Sequence, residues 1–146
     1  MNNSPTMKQA LLAYVDAFNA GDAERLLALF AEEATVEDPV GLEPKRGRAE
    51  FEQFFRYAIS GGAKLELVAP PRASFSNHAA VTFIVHTEME GRAVGIHVTD
   101  VMTFDENGKI VHMRLFGDRM TCVRRIPPTR KLLQHVVEDI VRADRK

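Results

Sequence analysis

The chain has 146 residues, the length of one domain, with 45% hydrophobic and 27% charged residues and a formal net charge of −1. That balance excludes wholesale disorder and lacks the basic surplus of a general nucleic-acid binder. The longest apolar runs are six residues (Ala10–Val15 and Leu26–Ala31), too short to span a bilayer, and the single Cys122 excludes an intrachain disulfide. With no apolar signal core at the N-terminus, the expectation is a cytoplasmic, membrane-free domain that works without a cofactor.

The first third predicts helices. Ser4-Pro5 reads as a cap followed by proline at the first helical position, and Met7, Leu11, Tyr14, Val15 and Phe18 form one apolar stripe. Asn19-Ala20-Gly21 supplies the stop, since glycine tolerates the left-handed conformation that ends a helix. Asp22 then caps a second short helix expected to run to about Ala31, with Leu26, Leu27 and Phe30 inside. A third helix is expected over Arg48–Ala58, where Phe51, Phe54, Phe55 and Ala58 recur at helical spacing; Tyr57 falls off that stripe.

The rest predicts strands. Lys64–Val68, Ala73–Phe75, Ala79–Met89, Arg92–Phe104 and Lys109–Phe116 are β-rich and alternate in polarity, with turn residues between them. Helices first and adjacent strands afterwards predict an α+β fold, with three N-terminal helices packed on a curved antiparallel sheet. A body over 1–117 sums to −5, and an extension over 118–146 sums to +4. The shift falls near Ile126-Pro127-Pro128, and beyond it Leu132, Leu133, Val136, Val137, Ile140 and Val141 predict an extra C-terminal helix, with Thr129 as its cap. Packing on the body or on a partner subunit suits that amphipathic pattern better than a nucleic-acid arm does.

Two carboxylates stand where hydrophobes belong. Alternate residues of a strand face opposite sides. One face of Arg92–Phe104 therefore reads Val94, Ile96, Val98, Asp100, Met102, Phe104, and one face of Ala34–Val40 reads Ala34, Val36, Asp38, Val40. An aspartate in such a row escapes to solvent at a strand end, pairs with a cation, or keeps its proton. Pro39 disfavours helical geometry at Asp38 and predicts a bend there. Tyr14 adds a hydroxyl to the stripe of the first helix.

Three stretches carry a family likeness. Tyr14-Val15-Asp16-Ala17-Phe18-Asn19-Ala20-Gly21-Asp22 resembles the first helix and turn of the Δ5-3-ketosteroid isomerases, within the nuclear-transport-factor-2-like superfamily. Leu29-Phe30-Ala31-Glu32-Glu33-Ala34-Thr35-Val36-Glu37-Asp38-Pro39-Val40-Gly41 resembles the segment that bears their base, and Thr99-Asp100-Val101-Met102-Thr103-Phe104 matches a third piece by place and strand context. The resemblance implies a cone-shaped curved sheet holding a small apolar steroid, and a homodimer formed through the outer sheet face. It implies Asp38 as the general base that carries a proton from C4 to C6 of a 3-oxo-Δ5-steroid. Tyr14 and a protonated Asp100 become the two hydrogen-bond donors to the C3 oxygen. Phe30, Val40, Phe54, Phe55, Val98, Met102 and Met113 become the pocket walls, and neither metal nor cofactor is implied. Some members carry a second tyrosine that bonds the first; here that position is Phe55, so Tyr14 is expected to stand without it. The chain is one residue shorter between Arg114 and Leu115, which leaves open how Leu115 and Phe116 face. The extension over 118–146 exceeds the family body, and would lid the cavity or extend the dimer.

Other chemistries find less support. Among His78, His86, His97, His112 and His135 there is no H-E-x-x-H spacing, and the one H-x-E, at His86-Thr87-Glu88, has no cysteine pair to go with it, so surface or interface histidines are expected rather than metal ligands. There is no G-x-S-x-G elbow, and nothing around Cys122 makes it a nucleophile. The expected function is a steroid Δ-isomerase. The alternatives are a cyclase or dehydratase of the same superfamily on another apolar ketone, and a non-catalytic carrier of apolar ligands.

Overall fold

A computed structural model describes residues 4–117 and the backbone of 122–123. Helix α1 (Ser4–Asn19) and short helix α2 (Ala23–Leu27) lead into strand β1 (Phe30–Glu37). Strand β2 (Lys45–Arg46) and helix α3 (Arg48–Ser60) follow, then β3 (Lys64–Leu67), β4 (Arg72–Ala73), β5 (His78–Met89), β6 (Arg92–Phe104), β7 (Ile110–Phe116) and β8 (Cys122–Val123). The sheet runs β2-β1-β7-β6-β5-β3, with β4 added on β5 and β8 on β6; its two ends do not pair, so it is an open sheet. The expected α+β architecture is therefore present. One pair departs from an all-antiparallel sheet: β1 and β7 run parallel. A hairpin forces antiparallel pairing, but most of the body separates these two strands, so no tight turn fixes their relative direction.

Local chemistry sets the boundaries. Gly21 takes φ 68°, and the Asp22 amide donates to Ala17 O at 3.0 Å, which closes α1. Asp22 accepts from the Arg25 amide at 3.0 Å and caps α2. Asn19 also ties α1 to the sheet: its side chain accepts from the Leu65 amide at 2.7 Å and donates to Leu65 O at 2.8 Å, as a neighbouring strand would. Glu90 and Gly91, both at positive φ, form the two-residue turn that sets β5 against β6 in register from His78↔Thr103 to Met89↔Arg92.

Several boundaries differ from expectation. The second helix stops at Leu27 instead of Ala31, and Phe30 belongs to β1, where it pairs with Ile110. Strand pairing there outweighs the helical spacing of the apolar residues. Helix α3 runs on to Ser60, and β4 covers Arg72–Ala73 rather than Ala73–Phe75, leaving Phe75 fully exposed. Strands β2 and β8 are too short for any periodicity to announce them. The expected helix over the C-terminal extension, Thr129 included, lies outside the described residues.

One core lies between the helices and one sheet face. Leu11, Tyr14 and Phe18 from α1, with Phe51 and Phe55 from α3, pack on Val36, Phe83, Val98, Met102 and Met113 of the sheet, all buried. Within it, Phe30, Phe51 and Phe55 form a ring cluster with centroids 5.3–6.4 Å apart. Burying one such ring contributes about 1.5–3 kcal/mol, so these residues define the fold as well as any cavity within it. Among the described residues no helix is long and apolar enough to cross a membrane.

Candidate active site

Asp100 lies inside that core. Along β6 the buried row is Val94, Val98, Asp100, Met102 and Phe104, as the alternation predicts. The residue is 0% exposed, and among the described residues neither carboxyl oxygen has a hydrogen-bond partner and no cation acts on it. Burial first, and the charge of Asp38 second, push its pKa well above the ordinary carboxylate value. A raised pKa favours the protonated form, in which the carboxyl is a hydrogen-bond donor.

Asp38 sits just past the end of β1, after buried Ala34 and Val36 of the same parity. The strand stops at Glu37, and the Asp38–Pro39 peptide is cis. The segment is then pinned to the sheet: the Val40 amide donates to Leu115 O at 2.8 Å. Leu115 is the β7 partner of Asp100, so the Asp38 segment and Asp100 flank the same residue. Two strand spacings separate their backbones by about 10 Å. Asp38 is half-buried; burial raises its pKa to about 6, with Lys45 pulling the other way.

Tyr14 completes the group from the helical side. It is buried on α1, with ring centroids 6.4 Å from Phe30 and 6.0 Å from Phe55. Burial, then the charges of Asp100 and Asp38, push its hydroxyl well above the usual tyrosine range, so it stays protonated. The charges of Asp100 and Asp38 both bear on Tyr14, and that of Asp38 bears on Asp100, so the three groups lie near one another. No described residue hydrogen-bonds the Tyr14 hydroxyl; the residue beside it on α3 is Phe55, edge-on at 74°.

The residues expected to wall a pocket divide between the core and its rim. Phe30, Phe55, Val98, Met102 and Met113 are buried, and Met102 pairs with Met113 across β6 and β7. Leu115 turns inward and Phe116 outward, which resolves their open facing. Val40 and Phe54 are half-buried at the rim. From there an open cleft of about 430 Å³ runs between α3 and the 43–45 segment, lined by Pro44, Lys45, Phe54 and Tyr57 among others. Phe54 touches Phe55 at 5.3 Å and Phe55 touches Tyr14, so the cleft lies two rings away from the tyrosine.

Lys45 escaped the sequence reading. Its strand is two residues long and shows no alternation; only its pairing with Val36 reveals which face it occupies. The histidines take other roles. His112 and Arg114 contact Glu37 at 2.5 and 3.3 Å, and His86 faces Glu66 at 3.4 Å. Among the described residues no group of three His, Cys, Asp or Glu side chains is arranged to hold a metal ion.

Such an arrangement can do one kind of chemistry well. A carboxylate with a pKa near neutrality can take a proton from carbon and return it, while two neutral donors face an oxygen that gains negative charge. An apolar wall keeps water from competing for those donors.

Comparison with known proteins places this geometry in context. The chain matches the SnoaL-like domain family over residues 11–113. It is 39% identical over 113 residues to the steroid Delta-isomerase of Nocardioides simplex, covering 77% of this chain and 90% of that one. It is 29% identical over 116 residues to the epoxide hydrolase LasB of Streptomyces lasalocidi, covering 74% of this chain and 40% of that longer protein. The solved structure of the epoxide hydrolase/cyclase-like enzyme SalBIII, described for pyran ring formation in polyether salinomycin, superposes with a TM-score of 0.72 at 26% identity. That match covers 82% of this chain and 95% of SalBIII.

Proposed function

The chain belongs to the SnoaL-like domain family and, within it, to the ketosteroid isomerases, and from that premise we propose that it is a steroid Δ-isomerase. It moves a double bond from Δ5 to Δ4 in a 3-oxosteroid. Ionised Asp38 removes a proton from C4; the electrons shift through the C5–C6 double bond and the C3 carbonyl to give a dienolate. Tyr14 and neutral Asp100 hydrogen-bond the C3 oxygen as its charge grows. Asp38 then delivers its proton to C6, leaving the conjugated Δ4 ketone. Atoms and electrons balance within the substrate, so neither metal nor cofactor enters. The observation that carries the reading is Asp100: a fully buried carboxyl with both oxygens unpartnered, beside a second acid poised near neutral pH.

The test is direct. A 3-oxo-Δ5-steroid is supplied and the conjugated product is followed by ultraviolet absorbance. Turnover by the wild-type protein and its loss in Asp38→Asn are expected. Absence of turnover, or turnover indifferent to that substitution, rejects the assignment. The homodimer belongs to the same proposal, and sedimentation of the full chain tests it.

The likeness to LasB and to SalBIII supports a second reading. The same two acids could open an epoxide, with neutral Asp100 protonating the leaving oxygen while Asp38 deprotonates an attacking hydroxyl. A hydroxy-epoxide converted to a cyclic ether, with no turnover of the steroid, would favour it. Tight steroid binding without turnover of either substrate would instead favour a carrier.

A further inference from the structure

Among the described residues, Lys45 is the cation that the sheet presents toward the base. In an antiparallel pair, directly opposed residues share a face. Lys45 opposes Val36, which is buried on the core side, and Asp38 follows Val36 with the same parity. The neighbouring Arg46 opposes Thr35 and takes the outer face. Lys45 is half-buried as a residue, and its ammonium donates to Glu43 O at 3.1 Å on the exposed side and lies 5.5 Å from the Phe54 ring centroid. Among the described residues it enters no ion pair, although Arg48 and Arg56 nearby are each paired with glutamates. A lysine normally reaches for water or a carboxylate; this one keeps its charge beside the Phe54 ring at the edge of the apolar core.

We propose that Lys45 is a positioning residue for Asp38: its fixed positive charge at the rim keeps the base ionised inside a compartment that would otherwise protonate it. This rests on the functional reading above. The surroundings of Asp38 leave Lys45 that task. Asp38 bears electrostatically on Asp100 of β6 and Tyr14 of α1, both of which burial pushes toward their neutral forms. Leu115 of β7 and Phe55 of α3 lie in the adjoining core, with Phe54 packed against it, none of them charged. Glu37 next to it has the opposite parity and is occupied by His112 and Arg114. Burial and Lys45 thus act on Asp38 in opposite senses, and the cation wins back part of what desolvation costs the charged form.

The test uses Lys45→Met, Lys45→Arg and the full-length wild-type chain. The Asp38 carboxyl is titrated by carbon-13 NMR, with Asp38→Asn fixing the assignment, and kcat/KM for the 3-oxo-Δ5-steroid is measured against pH. Loss of the charge is expected to raise both midpoints by about one pH unit. At a pH one unit below the wild-type midpoint, activity then falls about tenfold, while activity on the alkaline plateau changes little. Lys45→Arg keeps the wild-type midpoints. An Asp38 titration that does not move in Lys45→Met overturns the proposal, as does an equal loss of rate at every pH. The NMR arm needs no turnover. If the carboxyl shifts while the wild-type protein leaves the steroid untouched, the isomerase reading fails and the role of Lys45 stands.

Discussion

The two faces of one sheet treat their carboxylates in opposite ways. On the outer face Glu37 contacts His112 and Arg114, and Glu66 faces His86, each side chain being partly exposed. Thr82 and Thr99 bond each other there at 3.0 Å. On the inner face, among the described residues, Asp100 has no hydrogen-bond partner, and the cation acting on Asp38 is Lys45. A sheet selected for stability alone would carry leucine at position 100, since an unsatisfied buried polar group costs about 1–3 kcal/mol. The outer face shows that this fold can satisfy its acids. The inner exception is the feature on which the proposed chemistry draws, and its stability cost is what that proposal predicts.

The sharpest way to break that contrast lies at two adjacent residues of opposite facing. Asp38→Asn is expected to lower steroid isomerisation about 10²–10⁴-fold, the usual contribution of a positioned general base. Glu37→Gln, on the other side of the strand, is expected to stay within a few-fold of wild type. Equal losses at both positions would show that the strand end matters structurally and that the inner carboxyl has no chemical role. Asp100→Ala comes next. Removing one oxyanion donor costs about 10²–10³ in kcat. A loss confined to KM would mean that Asp100 binds substrate without acting on the transition state.

The inner row was legible because β6 is long. Alternation from Val94 to Phe104 isolates Asp100 as the single charged member of that row; Arg92, of the same parity, stands exposed at the strand's start, and burial follows the parity from Val98 onward. Asp38 was legible through Val36 and the Pro39 signal, although the strand ends before it. What alternation could not reveal was convergence. Asp38 meets Asp100 only because β1 pairs with β7 in parallel, a contact between segments distant in the chain with no local signature. Phe30 misled for a related reason: its spacing from Leu26 and Leu27 suits a helix, while its pairing with Ile110 belongs to the sheet. Lys45 was invisible, since its facing depends wholly on its partner strand.

Linkage gives a further contrast, in stability rather than rate. Both inner acids have folded-state pKa values raised above those of the unfolded chain. Below the unfolded carboxyl range, about pH 4, both states hold the proton and no penalty exists. As pH rises, the unfolded chain releases protons that the folded chain keeps, so stability falls. For Asp38 the penalty is complete above about 6; for Asp100 it continues to grow. Each unit of pH over which the Asp100 proton is retained costs about 1.4 kcal/mol. Urea titrations at pH 5, 6 and 7 should show Asp100→Asn gaining on wild type by roughly that amount per unit. A difference independent of pH would mean that Asp100 is ionised in the folded state, and the inner face would then lack its second donor.

The smallest effect concerns the hydroxyl missing at position 55. Phe55 is 1% exposed and meets Tyr14 edge-on, and no described residue bonds the Tyr14 hydroxyl. In Phe55→Tyr the new hydroxyl enters a site where the other neighbours are aromatic rings: Phe30, Phe51 and Phe54. Its one polar option is the Tyr14 oxygen. A hydrogen bond donated to that oxygen polarises the Tyr14 O–H and strengthens what it can donate to substrate. A net gain of about 1 kcal/mol corresponds to roughly fivefold in kcat. Stability should hold, because the pair satisfies both hydroxyls. A variant that is slower and loses about 1–3 kcal/mol in urea would show that the two hydroxyls cannot meet, leaving the new one buried and unpaired. Tyr14 would then be held by packing against its ring neighbours alone, and the rigidity of the aromatic cluster, rather than a hydrogen-bond relay, would aim the donor.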